Sequence, residues 1–265
     1  MRVVPALALA MAMLCTSSAS AHDTWLLPRA PHVREGKRTT VDLTSGMSFP
    51  HLESGIKADR VAHGAWRTQR KKGRLDRWQE EDSSLVMHLT PTAAGTATLY
   101  LTLKPKEIDL DTEEIAHYFD EIGASEALRR DWESSPSPHG FHETYTKHAK
   151  SFVRVGDAGE DESCIHPVGL AIEFIPQRDP TALAVGDSLY IKVVKGGDDE
   201  MESFPVGVVC GATGASTLKR TNQNGLVAFP ITDAGWWLVR ATELRRTADG
   251  TFESDFSTMT FFVEK

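Results

Sequence analysis

Thr98-Leu99-Tyr100-Leu101-Thr102-Leu103 alternates leucines with polar or amphipathic side chains, so that Leu99, Leu101 and Leu103 share one face. A period of two is that of a half-buried β-strand. Pro91 and Gly95 supply the turn before it. Upstream, Thr39–Leu43 follows the turn-like Glu35-Gly36, and Leu85–Leu89 follows a polar stretch. Residues 22–106 therefore read as an antiparallel β-sandwich. Downstream the period becomes helical. Asp111 or Thr112 can cap a segment carrying Ile115, Tyr118, Phe119 and Ile122, which Gly123 ends as a C′ glycine. Ser125 can cap a second helix with Leu128 and Trp132. After the loop 134–140, a third helical stretch is expected from Glu143 to Phe152. Residues 107–153 thus read as a helical insertion and linker. Strands return in residues 154–265: Leu170–Ile175, Ser188–Val194, Pro205–Cys210, Leu226–Ile231, Gly235–Thr242 and Ser257–Val263. Their spacing, with turns at Asn222–Gly225 and Asp233–Gly235, is that of an immunoglobulin-like sandwich. The expected fold is mainly β: two antiparallel β-sandwich modules with a helical insertion between them.

The N-terminus reads as a secretory signal over residues 1–21. Arg2 precedes an apolar run from Val3 to Leu14, and Ala19-Ser20-Ala21 forms the cleavage site, so His22 is the expected first residue of the exported protein. Leu14 stands before Cys15 where lipoprotein processing would want a small residue. No other segment approaches the roughly 20 apolar residues needed to span a bilayer. A periplasmic location is the resulting expectation. The net charge of −8 argues against nucleic acid or an anionic membrane surface as partner. Of three cysteines one leaves with the signal. Cys164 and Cys210, left together in an oxidising compartment, are expected to form a disulfide. The competing use is a thiolate and imidazole in Cys164-Ile165-His166.

Several local patterns coincide: His22-Asp23-Thr24-Trp25-Leu26-Leu27-Pro28 at the expected start, Tyr145-Thr146-Lys147-His148-Ala149-Lys150, the Pro180, Leu183, Gly186-Asp187 spacing, Thr221–Pro230, and Gly235–Ala241. Together they resemble a bacterial periplasmic family catalogued as a domain of unknown function. Some of its members are described as accessory components of nickel or cobalt uptake. The resemblance implies a metal ion as cofactor and a metal-uptake transporter or outer-membrane receptor as partner.

The residues themselves permit such chemistry. After cleavage, His22 would carry an α-amine beside its own imidazole, two nitrogens able to chelate one ion. Their ordinary pKa values, about 7.7–8.0 and about 6.5, let both yield protons to a metal near neutral pH. Nitrogen ligation suits nickel, copper and zinc. Position three is Thr24, so the motif that needs a histidine there is absent, and His22 would need ligands from elsewhere in the fold. His51, in the loop after the first strands, is the leading partner. His139 and His142, three residues apart, form a second candidate pair. His117 and His148 fall in expected helices, and His32, His63 and His88 have no evident partner.

Enzymatic signatures are absent: the sequence contains no Gly-x-Ser-x-Gly elbow, no His-Glu-x-x-His pair and no phosphate-cradling glycine loop. The one enzymatic alternative is a copper oxidase built on His22. The leading expectation is a non-catalytic periplasmic protein that binds nickel or cobalt, with copper as a further option. The alternative is a metal-free sandwich module that contacts an envelope protein or a glycan.

Overall fold

Leu99, Leu101 and Leu103 are all buried in a strand that runs from Gly95 to Leu103, as their alternation requires. The computed structural model describes residues 22–134, 140–157 and 161–265. Within them the first strands are β1 (Asp23–Pro28), β2 (His32–Val33), β3 (Thr39–Gly46), β4 (Ser54–Gly55), β5 (Val61–Arg67), β6 (Lys72–Arg74), β7 (Gln79–Glu80), β8 (Leu85–Leu89), β9 (Gly95–Leu103) and β10 (Lys106–Leu110). Helices α1 (Thr112–Glu121) and α2 (Glu126–Ser134) come next. After them the chain forms β11 (Phe141–Val155), β12 (Ile172–Pro176), β13 (Ser188–Lys195), β14 (Asp199–Glu200), β15 (Pro205–Cys210), β16 (Ser216–Arg220), β17 (Leu226–Pro230), β18 (Gly235–Arg246) and β19 (Phe252–Val263). The protein is mainly β. The expected signal peptide lies outside the described residues.

Both helices start where the caps place them. The Asp111 carboxylate accepts from the Glu113 and Glu114 amides at 2.9 Å, and Glu114 returns a bond to the Asp111 amide, a closed capping box. The Leu128 amide donates to Ser125 Oγ at 3.2 Å. Gly123 ends α1 at φ +64°, and a Cβ there would press on Pro205 at 3.0 Å.

The expected third helix is instead the long strand β11. Thr144, Tyr145 and Thr146 favour a pleated backbone. The decisive cause is position: β11 lies inside a ten-stranded sheet, antiparallel to β9 and β10 on one side and parallel to β19 on the other. Residues His148–Val153 are buried without interruption, which erases the two-residue alternation that marks a half-buried strand.

Three sheets result: β1-β3-β8-β7 with β4; β16-β15-β18-β19-β11-β9-β5-β6 with β2 and β10; and β12-β13-β14 with β17. Three of the hydrophobic clusters on the large sheet build the layers, besides the smaller one around Trp25, Phe49 and Leu238. Leu26, Val41, Leu43 and Met87 of the five-stranded sheet pack on Leu99, Leu101, Ala149 and Val153. Phe174, Ile191 and Phe229 of the four-stranded sheet pack on Val208, Val239 and Phe261. The third core places Ile115, Tyr118 and Phe119 of α1 over Phe141 and Phe252, whose rings stack at 4.3 Å. Among the described residues no helix is long and apolar enough to cross a membrane.

Candidate functional site

His22 stands exposed at the head of β1, and the residues after it tie that strand to the far end of the chain. Trp25 is fully buried, its ring edge-on to Phe49 at 5.6 Å and against Leu238. The Thr24 and Leu26 carbonyls accept from Thr258 and Thr260 hydroxyls at 2.6 and 2.7 Å. Asp23 pairs with Arg240 of β18 at 2.7 Å, and Arg240 also lies 3.6 Å from Glu121 of α1. From β11, the half-buried Lys147 donates to the His22 carbonyl at 2.5 Å and sits 5.4 Å from the centres of the Tyr145 and Phe256 rings. The His-x-x-Trp start is thus first a fastening of the N-terminal strand.

This corner is electrostatically stressed. Burial raises the Asp23 carboxyl above its ordinary range even with a guanidinium beside it. Burial also pushes Lys147 down to about 8, opposed by the attraction of Asp23 and assisted by Arg60 and Lys106. On the same strand, burial raises Glu143, although Ser254 and Tyr118 both donate to it, the latter at 3.0 Å. Titratable groups moved in this way beside a concavity mark a candidate site.

The described metal-ligand candidates fall in two regions, His22 and His51 in one and His142 in another. The His51 amide donates to the Ser48 carbonyl at 2.8 Å, in the loop that leaves β3. Because Gly46 pairs with Asp23, that loop begins at the same sheet end as His22. Glu53 lies near His22 there, but its oxygens accept from the Met47 and Ser48 amides at 2.6–3.2 Å. His142 Nδ1 donates to the Asp109 carboxylate at 2.8 Å, and this contact raises its pKa. It lies five residues along β11 from Lys147, about 17 Å at the rise of a strand, so it belongs to a different region from His22. His139 lies outside the described residues. Among the described residues no three His, Cys, Asp or Glu side chains converge as a metal site.

The expected disulfide is not formed: Cys164 and Cys210 are free, buried thiols. Each is held by its own backbone, Cys164 in the short helical turn Glu162–Ile165 and Cys210 at the end of β15 opposite Trp237. Cys164 Sγ donates to the Asp161 carbonyl at 2.8 Å. Burial, with Asp179 and Asp161 nearby, pushes its pKa well up, which disfavours a thiolate ligand as well. His148, expected on a helix face, is buried in β11 between Thr102 Oγ1 at 3.0 Å and Asp255 at 3.1 Å.

One concavity was not visible in the sequence. A cleft of about 440 Å³ opens between the α1–α2 connection and the β15, β16 and β18 strands. Ile122, Leu128, Phe204 and Leu244 supply apolar lining, while Asp131, Glu202, Arg220 and Glu243 supply charge. Arg220 is oriented by the Ser203 and Gly123 carbonyls at 2.7 and 2.9 Å. Ile122, Pro205 and Thr242 also line a small adjoining pit of about 20 Å³, room for one water, whose wall contains Asp23, Glu121 and Arg240. The stressed corner and the cleft therefore meet. Asp23 and Lys147 lie within the quoted motifs, but nothing local in the sequence links Asp23 to Arg240, 217 positions away.

The fold and site define a mainly-β protein with a lateral cleft. The chain belongs to the family DUF4198, a domain of unknown function, which it matches over residues 19–244. No curated protein matches it. Among solved structures, it is similar to the Yersinia pseudotuberculosis adhesin InvE, with 14% identity, 90% of this chain and 58% of that one covered, and a TM-score of 0.23. The D0-D1 domain of intimin is similar at 12% identity over 90% of this chain and 97% of that one, TM-score 0.24. A Ca2+-stabilized adhesin of an Antarctic bacterium that binds ice is similar at 10% identity over 92% and 50%, TM-score 0.24. The chain thus spans little more than half the length of the first of these. These superpositions are loose, and no property passes from them to this chain.

Proposed function

We propose that the protein is an exported, non-catalytic binding module of the bacterial envelope, built of immunoglobulin-like sandwich layers, whose cleft receives a segment of an envelope protein or a glycan. The observation that supports this reading is the cleft itself. Its volume falls in the range of small-ligand sites, and its apolar lining with a few oriented polar groups is the composition such sites use. The ion pair in the wall of the adjoining pit joins β1 to β18 and α1, and the pit shares Ile122, Pro205 and Thr242 with the cleft, so occupancy of the cleft would be felt at the N-terminal corner.

Metal handling is the second reading, with nickel, cobalt or copper at the His22 amine and imidazole. It is favoured by one observation: His22 is exposed at the sheet end from which the His51 loop departs. One experiment separates the two. Protein beginning at His22 is titrated with panels of envelope-derived peptides and glycans, and with the metals, alongside Ala127→Trp and His22→Ala. Ala127 is exposed on α2 and lines the cleft, so the indole fills the space without disturbing a core. The expected result is a peptide or glycan that binds wild type and is lost in Ala127→Trp alone. Tight metal binding lost only in His22→Ala, with no ligand sensitive to Ala127→Trp, would replace the first reading with the second.

A further inference from the structure

The overall acidity, which argues against an anionic surface as partner, is not evenly spread. Between Arg67 and Arg77 the chain carries Arg67, Arg70, Lys71, Lys72, Arg74 and Arg77 against the single acid Asp76. These residues form the β5–β6 hairpin and its continuation, at the opposite end of the ten-stranded sheet from β15 and β16 beside the cleft. Arg70, Lys71, Lys72, Arg74 and Arg77 are exposed.

The hairpin is built firmly around its charges. Thr68 closes the turn, accepting from the Lys71 amide at 3.1 Å while its own amide donates to the Lys71 carbonyl at 2.7 Å. Gly73 is needed because a Cβ would meet the Trp66 indole at 2.7 Å. Arg67 spends its guanidinium on the Ser163, His166 and Pro167 carbonyls, and Lys71 donates to Thr92 Oγ1 at 2.8 Å. These partners are neutral: among the described residues the ion pairs run from Arg29 to Arg246 through the chain without including any of the six. Lys72 even stands directly opposite Arg67 across the ladder, a like-charge pairing that costs stability.

We propose that this hairpin docks the protein on an anionic phospholipid surface. The cations are long, exposed and spread over two strands and a turn, so their combined field suits a plane of negative headgroups. The rest of the chain is correspondingly acidic and is repelled by the same plane, which makes the hairpin the leading end and keeps the cleft, at the other end of the sheet, turned away. Each cation held near such a surface multiplies partitioning by about fivefold, and salt screens the effect over about 10 Å at 0.1 M.

The full exported chain is cosedimented with vesicles of phosphatidylglycerol and phosphatidylcholine in equal parts, and with phosphatidylcholine alone, at low and high salt. Binding is expected only to the anionic vesicles and only at low salt. Arg70→Gln/Lys72→Gln/Arg74→Gln should lower the partition coefficient about a hundredfold. The exposed control Arg34→Gln/Lys37→Gln/Arg38→Gln should retain it. Circular dichroism checks that both variants fold, and Arg70→Lys/Lys72→Arg, which keeps the charge, should bind as wild type does. Equal binding to neutral vesicles, equal loss in the control, or no binding at low salt overturns the proposal. So does binding of soluble polyglutamate without binding of vesicles, which would identify an acidic protein as the partner.

Discussion

Lys147 and Lys150 stand three residues apart on β11, and their surroundings are opposite. Lys150 is completely enclosed. Its ammonium donates to Glu173 and to the Phe174 carbonyl, the latter at 2.9 Å. Glu173 in turn accepts from the Val168, Gly169 and Leu170 amides at 2.8–3.2 Å. Both carboxylate oxygens accept hydrogen bonds and the ammonium reaches two acceptors, the close pairing that a buried ion pair requires. Lys147 has one carbonyl, two aromatic faces and a carboxylate already engaged with Arg240. The closed arrangement is a lock that joins the four-stranded sheet to the large one. The open arrangement leaves charge poorly compensated at the corner beside the cleft, which is where a ligand could change the balance.

The largest effect is expected at the lock. Lys150→Met strands a buried carboxylate and should cost about 3–5 kcal/mol in urea unfolding. Adding Glu173→Gln, which still accepts from the three amides, should restore a substantial part of that loss. A cost below about 1 kcal/mol for the single change would mean that the pair is not closed and would dissolve the contrast.

A smaller effect is expected at the corner. Burial already disfavours the charge on Asp23, so Asp23→Asn keeps the shape, weakens the bond to Arg240 and should cost about 2 kcal/mol by the same measurement. The loss should appear as earlier hydrogen exchange in β1, because Asp23 makes the ion pair that fastens that strand to β18. Uniform destabilisation with β1 exchange unchanged would remove the fastening role.

The same contrast governs which elements are legible in the sequence. β9 is covered on one face by leucines and half-open on the other, so its sequence alternates and its strand can be read. The α1 and α2 helices are legible through Asp111, Gly123 and Ser125, whose caps act within a few residues. β11 is enclosed by both neighbours and both faces, so its polar residues, Lys150 and His148 among them, are satisfied by partners distant in sequence. Such a strand carries no period. The same holds for the site. His22 and the adjacent Asp23 are conspicuous, but Arg240, Glu121 and Lys147 join them only through sheet topology. The two cysteines share one core as free thiols, and membership of a core is not visible in their spacing.

The smallest predicted effect is the most specific to the open corner. The Lys147 amine titrates at about 8 in the folded protein against an ordinary value of 10.5. Between those values the unfolded chain binds the extra proton, so stability should rise with pH across this window. Below pH 8 the cost of burying the charge is fully present, and above about 10.5 it is gone. Because solvent reaches the half-buried amine, the gain should be on the order of 1 kcal/mol, well under what the full shift would imply. Lys147→Met has no such proton to lose, and the difference between wild type and variant cancels titrations common to both. Urea unfolding of the two proteins from pH 7.5 to pH 10.5 measures this directly. A difference that stays flat would show that the partners of Lys147 fully offset its burial. A difference that falls as pH rises would mean that Asp23 and Glu143 hold the ammonium more strongly than burial repels it.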